Sequence, residues 1–89
     1  MLLPIFNKPF KKDIKLMERR RKDMTKINDI MAMLIWEEPL PECCAEHELS
    51  GNYEGFTECH VEDDWLLIYK FGAEKTIRFS RTGSHSDLF

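Results

Sequence analysis

The stretch EGFTECHVEDDWLLIYKFGAEKTIRFSR, residues 54–81, holds three runs rich in β-branched and aromatic residues, parted by EDD and GAEK. Asp63 and Gly72 punctuate the runs as residues suited to turns. Connections this short force antiparallel neighbours, because a parallel pair needs a long crossover. The spacing predicts a meander with strands near Gly55–Val61, Trp65–Phe71 and Thr76–Arg81. Alternation with period two puts Leu66 and Ile68 on one face, and Trp65, Leu67 and Tyr69 on the other. Both faces are apolar, so the sheet needs covering on two sides.

The chain before the meander supplies helices. LLPIF, residues 2–6, is short and apolar, and Pro4 confines it to an edge strand. Phe10, Ile14 and Met17 then recur at helical spacing, with the lysines and arginines mostly on other faces. Asp23 suits the cap of a second helix. That helix carries Ile27, Ile30, Met31 and Leu34 on one stripe and ends before Pro39 and Pro41. Helices first and a meander second predict a single α+β domain over residues 1–89, with an N-terminal strand and a two-helix hairpin packed on a small, mainly antiparallel sheet.

Composition fits this scale. The 89 residues are 43% hydrophobic and 33% charged, as in an ordinary globular domain. No apolar run approaches the roughly 20 residues that span a bilayer. The opening MLLPIFNKPFKK is too short in its apolar part, and too interrupted by Pro4, to read as a signal peptide. A cytoplasmic setting with no membrane association is expected. Cys43, Cys44 and Cys59 are odd in number and include an adjacent pair, which points to free thiols rather than a disulfide framework. The net charge of −3 is unevenly divided, at +5 over residues 1–36 and −8 over residues 37–89. Such a split marks either a solvated basic helix face or a surface turned towards a polyanion.

The chemistry-bearing residues lie in the acidic half. His47, His60 and His85 are the only histidines. His47 falls in the loop before the meander, His60 late in its first strand, and His85 just past its last. In a meander the end of one strand and the exit of another lie close, so His60 and His85 can share a site. Glu58 shares a strand face with His60, while Cys59 points the other way. Imidazoles beside a carboxylate suit general acid–base chemistry near neutral pH. Arg81 offers a permanent, forked positive charge for a phosphate. Trp65, Tyr69 and Phe89 offer stacking faces for bases. The chain has no CxxC, HxxxH or HExxH spacing, no phosphate-binding glycine loop and no serine elbow, so neither metal nor cofactor is expected.

The ordered set HELSGNYEGFTECHVEDDWLLIYKF and IRFSRTGSHSDLF resembles the YafQ-type branch of the RelE/ParE toxin superfamily, densely over residues 47–89 and more loosely over the helical hairpin. The resemblance implies a RelE-like fold and a metal-independent endoribonuclease, an mRNA interferase, paired with an antitoxin protein. It places the family's functional residues on His47, His60, Asp64, Trp65, Arg81, His85 and Phe89, with Glu58 at the position of a further acid. RNA cleavage by its own 2′-OH needs a base, an acid and positive charge. His60 fits the base, His85 the acid for the leaving 5′-oxygen, and Arg81 the phosphorane charge. Glu58 or Asp64 would orient an imidazole. Trp65 and Phe89 would position bases, and His47 would assist or hold the backbone. RNA or an antitoxin segment would cover the Trp65 face.

Two features depart from the family pattern. Thr57 stands where a basic residue often precedes the acid-x-His element, and the net charge is negative. Phosphate contacts dominate nucleic-acid affinity, so a chain at −3 binds free RNA weakly. The basic half suggests docking on the ribosome through Lys11, Lys12, Arg19, Arg20, Arg21 and Lys22, with messenger RNA as substrate. The alternative is a non-enzymatic, ParE-like or decayed toxin that only binds a protein, a role with no use for three histidines. The ending SRTGSHSDLF then has a purpose: Gly83 turns the chain after Arg81, returns His85 towards His60, and lets Phe89 close the site or stack on a base.

Overall fold

The computed structural model describes residues 1–89. Strand β1 (Leu3–Phe6) leads into helix α1 (Lys8–Arg19) and helix α2 (Met24–Ile35). After two single 3₁₀ turns and the two-residue strand β2 (His47–Glu48) come β3 (Thr57–Glu62), β4 (Trp65–Gly72) and β5 (Thr76–Gly83). A one-turn helix, α3 (His85–Leu88), ends the chain. The sheet order is β1-β5-β4-β3-β2. Only the β1–β5 pairing is parallel. The expected α+β architecture and hairpin are present, and the strand ends move by one or two residues.

Local chemistry places the helices. Pro9 sits in the first turn of α1, where its missing N–H is not needed. Asp23 caps α2 by accepting the Thr25 N–H at 3.1 Å. No helix is long and apolar enough to cross a membrane.

The core lies between the helices and the face of the sheet that bears Trp65, Leu67 and Tyr69. These three pack with Phe10 and Met17 of α1 and with Ile27, Ile30 and Leu34 of α2. The Trp65 face is therefore covered by the protein's own helices and is not left for RNA or an antitoxin. The opposite face has its own smaller cover: Leu66 and Ile68 pack beneath Leu88 of α3, with Leu49, Tyr53 and Phe56 alongside. Residues Trp65 to Tyr69 are thus buried on both faces of β4. At roughly 1.5–3 kcal/mol for each large apolar side chain removed from water, this strand is the spine of the fold.

Three departures from the sequence expectation bear on the site. His47 belongs to a short strand paired with β3, not to a loop. The chain after Gly83 is a helical turn closed by a capping box, in which Ser84 Oγ accepts the Asp87 N–H and Asp87 accepts the Ser84 N–H. A bulge in β5 pairs Phe79 with Tyr69 and Arg81 with Ile68, leaving Ser80 without a partner on β4. The extra residue turns Arg81 away from the core face that Phe79 occupies and onto the Leu66–Ile68 face.

Candidate active site

The sheet register builds the site in two rows. One row runs across four strands as His47, Glu58, Ile68 and Arg81. The next runs as His60, Leu66 and Gly83, two residues further along. Directly opposed residues share a face, so Glu58, His60 and Arg81 all stand on the side where α3 sits. At one strand spacing of about 4.8 Å each, Glu58 and Arg81 are roughly 10 Å apart.

Glu58 is buried beneath two imidazoles. Its carboxylate lies 3.5 Å from His60 Nε2 and 3.9 Å from His47 Nε2. The carboxylate thus lies against both rings, where an acid that orients an imidazole would stand. His47 is further held by a 2.8 Å hydrogen bond between Nδ1 and the Ala45 carbonyl. The vicinal Cys59 faces the core, where burial pushes its thiol up to about 12 and leaves it inert.

His85 meets His60 ring to ring, with centroids 5.9 Å apart. Its position rests on Asp64 in the turn between β3 and β4. One oxygen of Asp64 accepts the His85 backbone N–H at 2.9 Å and contacts Nδ1 at 2.6 Å. The backbone N–H, then the ring, hold the Asp64 carboxyl below its usual range, so it stays an anion. With Nδ1 engaged, Nε2 is the ring nitrogen left to exchange a proton with a ligand. Both side chains are more than half exposed, as a site for a large substrate requires. None of the protein's cavities is lined by His60, Arg81 or His85, so the site lies on an open face.

Arg81 is held from α1. Strand β1 pairs with β5 only as far as Phe79, and Asp13 meets the edge of β5 beyond it. The Asp13 carboxylate accepts Arg81 Nε at 2.7 Å, Nη2 at 3.2 Å and the Thr82 N–H at 3.1 Å. This pairing raises the Arg81 guanidinium further above its already high range, and the Tyr53 hydroxyl lies against it too. Asp13 occupies the buried stripe of α1, between Phe10 and Met17, a place that helical periodicity assigns to an apolar residue. Neither it nor Tyr53 was expected from the sequence; a lone acid on an apolar stripe was the available signal.

The remaining expected residues divide. Phe89 is exposed, its ring 5.4 Å from that of Tyr53, and it presents a stacking face beside the site. Trp65 is fully buried, with its indole N–H donating to Thr82 Oγ1 at 2.9 Å, so it offers no face to a base. That corrects the expected stacking role. Of the basic residues, Arg20 is bound to Asp87 and Lys22 to Glu62, whereas Lys11, Lys12, Arg19 and Arg21 are exposed and unpaired. The sequence lacks a metal-binding spacing, yet the fold gathers donor atoms of Glu58, His60 and His85 within 4.8 Å of one another.

The N-terminal strand, helical hairpin and meander that carry these groups are the RelE-like arrangement that the sequence resemblance implied. Residues 4–89 match the family model of the bacterial toxin of type II toxin–antitoxin systems, YafQ, and the chain belongs to that family. It is 46% identical to the mRNA interferase toxin YafQ of Escherichia coli K12 over 81 residues, covering 90% of this chain and 87% of that one. It superposes on the toxin in the crystal structure of the E. coli DinJ–YafQ complex with a TM-score of 0.91 and 41% identity, covering 100% of this chain and 99% of that one. A metal-bound toxin from Helicobacter pylori gives a TM-score of 0.92 at 34% identity, with both chains fully covered.

Proposed function

We propose that the chain is an endoribonuclease that cleaves messenger RNA as the toxin of a type II toxin–antitoxin pair, with a cognate antitoxin protein as its inhibitor. The observation that carries this reading is the pair of facing imidazoles, His60 and His85, each with a separate carboxylate. Two such groups allow one to take a proton while the other gives one.

In this mechanism His60 removes the proton of the 2′-OH, whose oxygen attacks the adjacent phosphorus. The bond from phosphorus to the 5′-oxygen breaks, and His85 protonates that oxygen as it leaves. The products are a 2′,3′-cyclic phosphate and a 5′-OH, and the two histidines exchange protonation states. Arg81 faces the charge that builds on the phosphorane, where a fixed donor is worth the most. Each proton transfer contributes typically about 10²–10⁴ in rate. Asp64 holds His85, Glu58 aligns His60 and His47, and Phe89 stacks on a base. No step needs a metal ion.

The substrate is presented on the ribosome. Lys8, Lys11, Lys12, Lys15, Arg19 and Arg21 are the exposed cations of the helical hairpin without a carboxylate partner, and they suit a large RNA surface better than a short free strand. Equal cleavage of translated and naked RNA would remove the case for docking. For the chemistry, His85→Ala in a folded variant lowers cleavage more than tenfold; a smaller loss overturns the assignment.

A further inference from the structure

Four residues do not make a stable helix, since the first turn of any helix is costly to form. Helix α3 is such a turn, and it carries His85 as its first residue. Three ties hold it from within the site: the Ser84–Asp87 capping box, Asp64 on His85, and Leu88 against Leu66 and Ile68. The fourth comes from helix α1, which packs on the other face of the sheet. Arg20, at the end of α1, donates from Nη1 to Asp87 Oδ2 at 2.7 Å and from Nη2 to Oδ1 at 2.9 Å. The same Oδ2 accepts the Ser84 N–H at 2.8 Å. Asp87 also lies so close to the strand exit that a Cβ at Gly83 would be 2.9 Å from Oδ2.

We propose that Arg20 is a positioning residue for the cleavage step: its forked pairing with Asp87 fixes the turn that presents His85 to the leaving oxygen. The inference rests on the assignment of His85 as the acid. A planar guanidinium on a carboxylate sets direction as well as distance, which a lysine does not. The Arg20 side chain is 40% exposed, so solvent screens the pair and keeps its share of global stability modest. Its effect falls on where the turn stands, and a displacement of about 1 Å in a reacting group is enough to lose up to about 10² in rate. Arg20 lies seven positions after Asp13, so α1 braces both Arg81 and His85 from one helix face.

The test compares two RNAs in single-turnover cleavage: one all-oxygen, the other with sulfur in place of the bridging 5′-oxygen at the scissile bond. A thiolate leaves without a proton, so the second RNA needs no acid. Arg20→Gln is expected to lower the saturated rate about tenfold on the first RNA and less than twofold on the second. The half-saturating concentration stays unchanged, and Arg20→Lys falls between. His85→Ala should show the same pattern more strongly. Equal loss on both RNAs for Arg20→Gln, a change in half-saturation alone, or no loss overturns the role of Arg20. Loss in His85→Ala that persists on the sulfur substrate overturns the acid assignment itself. The melting midpoint of each variant verifies folding, and Arg20→Lys carries the test if Arg20→Gln does not fold.

Discussion

The Asp13 carboxylate grips the Arg81 guanidinium across 68 positions of sequence, with two hydrogen bonds at 2.7 and 3.2 Å. It also accepts the Thr82 N–H, so one acid secures both the edge of β5 and the cation of the site. Removing it leaves an arginine without its partner and a buried N–H without an acceptor. Asp13→Ala is expected to lower stability by about 2–3 kcal/mol in urea unfolding and to lower cleavage at least tenfold. A variant as stable and active as the parent would show that Arg81 is positioned by something else.

Trp65 separates a packing role from a binding one. Its indole is fully buried and its N–H is bonded to Thr82. Trp65→Phe should cost about 1–2 kcal/mol through the lost bond and volume, while the RNA concentration for half-saturation stays within twofold. A large rise in that concentration at unchanged stability would restore the stacking role.

Much of the fold was legible because periodicity and short connections leave few choices. The turns EDD and GAEK force a meander, and the stripe Ile27, Ile30, Leu34 forces an amphipathic helix. The meeting of His60 and His85 follows from the same topology. Arg81 was legible as a residue type but not in its placement. Alternation from Ile77 and Phe79 would put it in the core, and only the unpaired Ser80 moves it to the other face. Asp13 breaks the pattern of its helix, and Arg20 looks like any other cation of a basic run. Both take their meaning from partners more than 60 positions away, and single-chain periodicity carries no information about such pairs.

Acid should loosen the C-terminal turn in a defined direction. Arg20, and then the Ser84 N–H, hold the Asp87 carboxyl far below its usual range. An unfolded aspartate titrates near 3.9, so this contribution is fully present above about pH 4 and fades as pH falls below it. Urea midpoints measured from pH 7 to pH 2 should therefore fall less steeply below about pH 4 in Asp87→Asn than in the parent. Parallel curves would mean that Asp87 is not held as described.

A soft divalent ion should inhibit. Glu58, His60 and His85 bring donor atoms within 4.8 Å, and an ion bound there would take the lone pairs that the proton transfers use. Copper(II) or zinc(II) is expected to stop cleavage, with activity regained on adding a chelator, and magnesium to have little effect. Stimulation by zinc, or loss of activity on chelation of the untreated protein, would contradict a metal-independent mechanism.

In the proposed mechanism the RNA cuts itself, with His60 and His85 moving the protons. The decisive substrate replaces the single 2′-OH at the scissile nucleotide with a 2′-methoxy group in an otherwise normal message. The mechanism predicts that cleavage at that bond stops, while an unmodified control yields 2′,3′-cyclic phosphate and 5′-OH ends. Undiminished cleavage at the methylated position would show that another nucleophile attacks the phosphorus and would contradict 2′-OH attack at this site.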